Sequence, residues 1–235
     1  MESPDAVILF WLNQFFGISR TFDYLVFMVS ENELLKGGVL VTLLWWFWFR
    51  KDVNAQRTRD KIVVLLVACV LAIGIARGLA FALPFRARPL ATPAINGVWL
   101  AGGFGSEGLP PWSSFPSDHA VLFMAFVAGI WSISKKWGVA VFAYVFVVVM
   151  FPRMYLGIHY PSDVLVGALI GLLTTWLLLI TPVSRWLLRP ATWWHETHTG
   201  TFYAALFFVT YQIGMMFEPV RDLGGFLIRA LLGKL

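Results

Sequence analysis

Charge is what this chain has little of. Only 13% of its 235 residues are Asp, Glu, Lys or Arg, while 59% are hydrophobic and the mean hydropathy is +0.74. Soluble domains carry about a quarter charged residues, so this balance excludes an ordinary soluble globule and indicates an integral membrane protein. Cysteine is almost missing. Cys69 stands alone inside an apolar run, which excludes an intrachain disulfide framework and a cysteine metal cluster. Basic residues interleaved with aromatics are also missing, so the net charge of +5 does not point to nucleic acid. No internal repeat or low-complexity tract breaks the chain. The opening residues, Met1-Glu-Ser-Pro-Asp5, lack a basic n-region and a small-residue cleavage site, so no cleaved signal peptide is expected.

What is abundant is apolar sequence in long runs, with 12 Trp and 21 Phe suited to interfacial belts and lipid-facing helices. Spanning the hydrocarbon core takes about 20 apolar residues. Residues 61–85, 118–134, 137–152 and 161–182 qualify, as does 37–49, extended by Leu34 and Leu35. Residues 6–30 are interrupted by Asn13, Gln14, Arg20 and Asp23, and read as one span or as an interfacial helix followed by a short span. The expected fold is therefore an all-α polytopic membrane bundle with six core transmembrane helices, and residues 201–217 make a candidate seventh. The membrane-embedded core is expected over 1–189 and a C-terminal extension over 190–235.

Basic residues orient the bundle. Arg50, Lys51, Arg57, Arg59 and Lys61 fall in one connection, Lys135 and Lys136 in another, and Arg185 and Arg189 after the 161–182 run. With alternating spans these clusters share one side, which the positive-inside rule makes cytoplasmic. The 86–117 and 153–160 connections then face the periplasm or cell exterior, and the expected location is the plasma (inner) membrane.

The chemistry concentrates in that second pair of connections. Between two apolar runs lies Arg153-Met-Tyr-Leu-Gly-Ile-His159-Tyr-Pro-Ser-Asp163. Pro161 suits a first helical turn, which puts His159 at a helix mouth and Asp163 one turn inside, near enough to hydrogen-bond the imidazole. Arg153 adds a fixed fork of donors. An imidazole, a carboxylate and a guanidinium together suit attack on a phosphoryl group. The 86–117 connection is the longest polar one. It begins with Arg86 and Arg88-Pro89 and ends with Pro116-Ser117-Asp118-His119. If Pro116 opens a helix, the N–H groups of Ser117 and Asp118 form an anion site, and His119 is placed to act as a general acid.

These three segments resemble the signature of the type 2 phosphatidic acid phosphatase superfamily: Lys-x6-Arg-Pro, Pro-Ser-Gly-His and Ser-Arg-x5-His-x3-Asp. The match covers roughly residues 20–182. The resemblance implies that His159 is the nucleophile and becomes a phosphohistidine, that Asp163 orients it, and that His119 protonates the leaving oxygen. It also implies that Arg88, Arg153, Ser117 and the Asp118 backbone bind the phosphate, with neither metal nor cofactor. Three positions depart from the pattern. Phe81 stands where the family has lysine, Asp118 replaces glycine and must turn its carboxylate away, and Pro152 replaces serine. Arg86 is expected to compensate for the lost lysine, being better placed than Arg77.

The implied activity is that of a lipid phosphatase. Its substrate would be undecaprenyl diphosphate, phosphatidylglycerol phosphate, phosphatidic acid or a lipid A 1-phosphate, and Asp118 resembles the undecaprenyl-diphosphatase branch. Phosphotransfer to a lipid hydroxyl, or lipid binding and transport without catalysis, are the alternatives. The expected partners are the lipid substrate and the bilayer. Trp193-Trp194-His195-Glu196-Thr197-His198 reads as an interfacial turn and not a metal site. Glu31 and Glu33 read as solvated loop charges before Lys36, and Asn13, Gln14 and Asp23 as an interfacial face or the lining of a substrate path.

Overall fold

The computed structural model describes residues 4–51, 53–92 and 112–231. Most of the long polar connection, residues 93–111, and the first three residues lie outside the described residues. Among the described residues the chain is helical throughout, with no strand.

The uncertain N-terminal region resolves into two helices, α1 (Pro4–Asn13) and α2 (Arg20–Glu31). Gly17 sits between them at φ +84°, a backbone conformation open to glycine, and Ser19 caps α2 by accepting from Phe22 N. The polar residues that interrupt this stretch are thus its turn and its tie-points. Asp23 is buried, accepting from the Tyr155 hydroxyl at 2.5 Å and from Gly17 N at 3.0 Å, so it fastens the turn to the bundle and lines no path.

Helix α3 (Leu34–Phe49) opens with a π turn at Leu34–Gly38. Helix α4 (Ala55–Ala82) is the longest, and α5 (Asp118–Ile133) follows the polar connection. Helix α6 (Lys135–Tyr155) contains a second π turn at Phe146–Met150, which ends two residues before Pro152. Proline lacks an N–H and crowds the carbonyl four residues back, and the wider turn ahead of it absorbs that conflict. Helix α7 (Pro161–Leu179) starts on its proline, as the sequence indicates. Helices α8 (Thr181–Thr197), α9 (Thr199–Gly214) and α10 (Glu218–Leu231) complete the chain. Helix α8 runs unbroken through residues 189 and 190. Helices α9 and α10 meet at 89°, through Met216 and Phe217 at positive φ.

Length and composition support fewer spans than the six expected. Among the described residues α4, α6 and α7 are long and apolar enough to cross a membrane, and the bent α9–α10 pair makes a fourth if counted as one span. Helices α3 and α5 are apolar but shorter. Helix α5 is the bundle's centre and is buried continuously from Ala120 to Val127, so protein and not lipid surrounds most of it.

Two seams hold the functional end together. On α7, Gly167 and Gly171 let the backbone close onto α5. A side-chain carbon at Gly171 would overlap the Val121 carbonyl oxygen, and one at Gly167 would lie 2.7 Å from the Ser117 carbonyl oxygen. Small residues four apart allow this approach in membranes, where packing and not water exclusion drives helix association. The other seam joins α3 to α9, where Gly37 meets the Gly214 backbone. Further along it, the indole N–H groups of Trp45 and Trp48 donate to Thr210 and Tyr203, each at 3.3 Å.

Candidate active site

Backbone hydrogen bonds draw the three polar segments together. After α6 the chain turns at Gly157 (φ +67°) and curls back, so that Ile158 N and His159 N both donate to the Arg153 carbonyl at 3.0 Å. The Arg88-Pro89 turn docks on this curl through Leu90 N to Gly157 O at 2.8 Å. Ser114 N donates to Arg86 O at 2.9 Å and Ser117 N to Asp163 O at 3.2 Å, which ties in the third segment. Arg88, Ser114, Ser117, His119, Arg153, His159 and Asp163 are thereby gathered at one end of the bundle, opposite the basic clusters.

His159 is buried, and its Nδ1 lies 2.8 Å from the Ser114 carbonyl oxygen. A carbonyl can only accept, so Nδ1 carries the proton and Nε2 keeps its lone pair. Burial lowers the imidazole to about 4. Asp163 opposes that shift, while the charges of Arg88 and Arg153 reinforce it. The ring is therefore neutral near pH 7. The expected bond from Asp163 to this imidazole is not formed, because the carboxylate stands 3.7 Å from Nδ1. Asp163 is instead engaged by Arg86 at 2.5 Å and by Tyr160 N at 2.9 Å, and it is fully buried. It anchors the start of α7 and supplies a nearby negative charge.

Arg86 is accordingly a latch and not a free phosphate ligand. Its guanidinium donates to Asp163, to Ser162 at 2.8 Å and to Asp5 at 2.7 Å, with its face 4.0 Å from the Tyr160 ring centroid. Three of its five N–H donors are thus committed within the protein, which reduces what it can offer in place of the missing lysine. Asp5, from α1, was not singled out by the sequence. Burial works to raise its carboxyl, but hydrogen bonds from Ser162 and Arg86 hold it below the ordinary range.

The second motif also differs in detail. Pro116 lies outside the helix, following a cis Phe115–Pro116 bond, and Ser117 is the N-cap of α5. The Ser117 N–H is spent on Asp163 O, which leaves the Asp118 N–H at the helix mouth. The Asp118 carboxylate turns away, as its position demands, and pairs with Arg77. Arg77 lies 4.7 Å from the Trp112 ring centroid. His119 Nε2 is 2.7 Å from the Arg153 guanidinium and accepts from it, since arginine can only donate. Arg153 also donates to Ser30 O at 3.1 Å.

Arg88 and Arg153 are more than nine-tenths buried, and both Nε atoms lack a partner among the described residues, as does the Ser114 hydroxyl. Buried donors left unsatisfied in this way are costly. They converge around His159 and suit an anion with several oxygens. Burial lowers Arg88 to about 10, with Arg153 adding to the shift, so it stays charged near neutrality.

Sequence reasoning missed Ser114, whose only signal was a Ser-Ser pair ahead of Phe-Pro in the polar connection. It also missed Lys36 and misjudged Glu33. Lys36 is buried, and its ammonium pairs with Glu33 at 2.7 Å. Glu33 is thus a counterion inside the bundle and not a solvated loop charge. Phe81, at the position of the family lysine, is 88% exposed on the outside of α4. In the Trp193–His198 corner, Trp194 donates to Thr201 at 2.9 Å and His195 packs edge-on against Phe202.

Residues 82–187 match the model of the PAP2 superfamily. The chain is 32% identical over 189 residues to the lipid A 1-diphosphate synthase of Escherichia coli, covering 77% of each protein. It is 26% identical over 167 residues to the putative undecaprenyl-diphosphatase YbjG of the same organism, covering 69% of this chain and 77% of that one. Among solved structures, the crystal structure of Aquifex aeolicus LpxE superposes with a TM-score of 0.55 at 23% identity. That superposition covers 75% of this chain and 94% of LpxE, and it supports the fold.

Proposed function

This chain belongs to the PAP2 superfamily, and from that premise we propose that it is a membrane lipid phosphatase working through a phosphohistidine at His159. The observation that carries the reading is the Nδ1 contact with the Ser114 carbonyl, which leaves Nε2 unprotonated among buried arginine donors. Nε2 attacks the terminal phosphorus, and the bond from phosphorus to the leaving oxygen breaks. His119 delivers a proton to that oxygen. Water then attacks the phosphohistidine, His119 takes its proton, and inorganic phosphate leaves with His159 restored.

Arg88, Arg153, the Ser117 hydroxyl and the Asp118 N–H hold the non-bridging oxygens, where charge spreads in the transition state. His119 accepts from Arg153. An entering phosphate competes for those guanidinium donors and favours imidazolium, which arms His119 as the acid. These cations suffice for charge neutralisation, so the reading requires no metal.

The substrate is a lipid ending in a phosphate or diphosphate, whose chains stay in the bilayer while the head group enters the helix ends. The reading places the protein in the plasma (inner) membrane as a bundle of six core helices. Its site faces the periplasm or cell exterior, since the catalytic end is opposite the basic connections.

A second reading is favoured by the relative at 32% identity, which is named a diphosphate synthase. In it a lipid phosphate replaces water as acceptor of the same phosphoryl group. The deciding experiment measures phosphate release from detergent-purified protein in EDTA. The lipids offered are undecaprenyl diphosphate, phosphatidylglycerol phosphate, phosphatidic acid and a lipid A 1-phosphate, with and without a second lipid phosphate as acceptor. EDTA-resistant release that vanishes in His159→Ala is expected. A new lipid diphosphate in place of free phosphate would select the transfer reading, and release unchanged in His159→Ala would refute both.

A further inference from the structure

The charges around the two histidines are not the same. His159 feels chiefly Asp163, Arg88 and Arg153, whereas His119 feels Arg153, Lys36 and Arg221. Arg153 is shared, while Arg88 lies toward His159 and Lys36 and Arg221 lie toward His119.

Both extra cations are held in place by identifiable contacts. Lys36 lies in the π turn that opens α3, between Leu35, whose carbonyl accepts from the Tyr144 hydroxyl, and Gly37, which packs on Gly214. Near the end of α2, the Ser30 carbonyl accepts from the same Arg153 nitrogen that reaches His119. The Lys36 ammonium spends one donor on Glu33, and Glu33 Oε2 is buried without a partner among the described residues. Arg221 comes from α10, swung across this end by the 89° bend. It lies 5.8 Å from the Trp112 ring centroid, on whose ring Arg77 also rests, and Arg77 pairs with Asp118 beside His119. The nearby acidic groups are Glu31, Glu33, Glu218 and Asp118. Glu218 meets Arg221 only at 3.8 Å.

We propose that Lys36 and Arg221 form a second cationic subsite beside His119 that holds the phosphate retained by the leaving group, so that the site selects lipids ending in a diphosphate. The inference rests on the phosphohistidine reading above. When His159 takes the phosphoryl group of a monoester, the leaving group is an alcohol and needs only the proton from His119. When it takes the terminal phosphoryl group of a diphosphate, the bridging P–O bond breaks and the departing lipid phosphate is an anion. A fixed ammonium and guanidinium on that side stabilise the second case selectively.

The test compares undecaprenyl diphosphate with undecaprenyl phosphate in the wild type, Lys36→Met, Lys36→Arg and Arg221→Gln, with His159→Ala as control. Monodispersity and melting temperature are recorded for each. The ratio of kcat/KM for the diphosphate to that for the monophosphate should fall about 10- to 100-fold in Lys36→Met, the scale of losing one hydrogen bond to a charged group. A smaller fall is expected in Arg221→Gln, with substantial recovery in Lys36→Arg. Inorganic pyrophosphate should also inhibit Lys36→Met less well, relative to orthophosphate, than it inhibits the wild type. An unchanged ratio, with both substrates slowed in parallel, would overturn the subsite and leave Lys36 a structural residue. Absence of His159-dependent release from either lipid would overturn the phosphatase reading and this inference with it.

Discussion

The α5–α7 seam and the α3–α9 seam are built alike and do different work. In each, a glycine lets one backbone rest on another, Gly171 on Val121 and Gly37 on Gly214. The first seam aligns Ser117 and His119 with His159 and Asp163, residues at recognisable spacings within two short stretches. The second positions Lys36 with helices that lie far away in the sequence. The proposed phosphohistidine chemistry rests on the first seam, and the proposed selection among substrates on the second.

The largest expected effect is at Gly171. Replacement by leucine drives a side chain into the α5 backbone, and overpacking of this kind costs about 1–3 kcal/mol or more. The α5–α7 contact carries the site, so loss of phosphate release from every lipid is expected, together with a lower melting temperature. Gly37→Val should break the comparison the other way. Lys36 would shift, and the preference for diphosphate would drop further than release from a monophosphate. Equal losses would mean that the seams are not separable.

Arg86→Met comes next. It leaves the fully buried Asp163 short of one donor while Tyr160 N still binds it, a change of about 1–2 kcal/mol given that Arg86 is partly exposed. Thermal unfolding should register that loss. Phosphate affinity, read as orthophosphate inhibition, should change less than in Arg88→Met, because most Arg86 donors already have partners within the protein. A larger affinity loss in Arg86→Met would restore Arg86 as a phosphate ligand.

The smallest effect concerns pH. Burial, reinforced by Arg88 and Arg153, holds the His159 imidazole at about 4, below the ordinary histidine value of 6.5. The unfolded chain therefore binds the extra proton first, and stability present above about pH 6.5 declines as pH falls toward 4. Melting measured across that interval should show a shallower decline in His159→Gln. An identical slope would mean that the imidazole is not held neutral by burial.

Much of the site was legible because helix starts and spacing are local. Pro161 opens α7, and His159 and Asp163 fall where one helical turn puts them. The carboxylate's real partners were not legible, since Asp5 and Arg86 approach from distant elements. The π turns were equally hidden, although Pro152 in an apolar run signals that the helix must adjust. Apolar length alone does not separate a lipid-spanning helix from one wrapped by its neighbours, as α5 is, so the sequence pattern and the helix lengths give different span counts. Lys36 was not singled out by the sequence, because only tertiary packing buries it.

The most direct test is to trap the covalent intermediate. The wild type would be mixed with a lipid diphosphate labelled in its terminal phosphate, quenched in alkali, and mapped by peptide mass spectrometry and phosphorus NMR. Phosphate on Nε2 of His159 is expected, and none in His159→Ala. Hydrolysis proceeding with no label on His159, or with the label on another residue, would contradict the account.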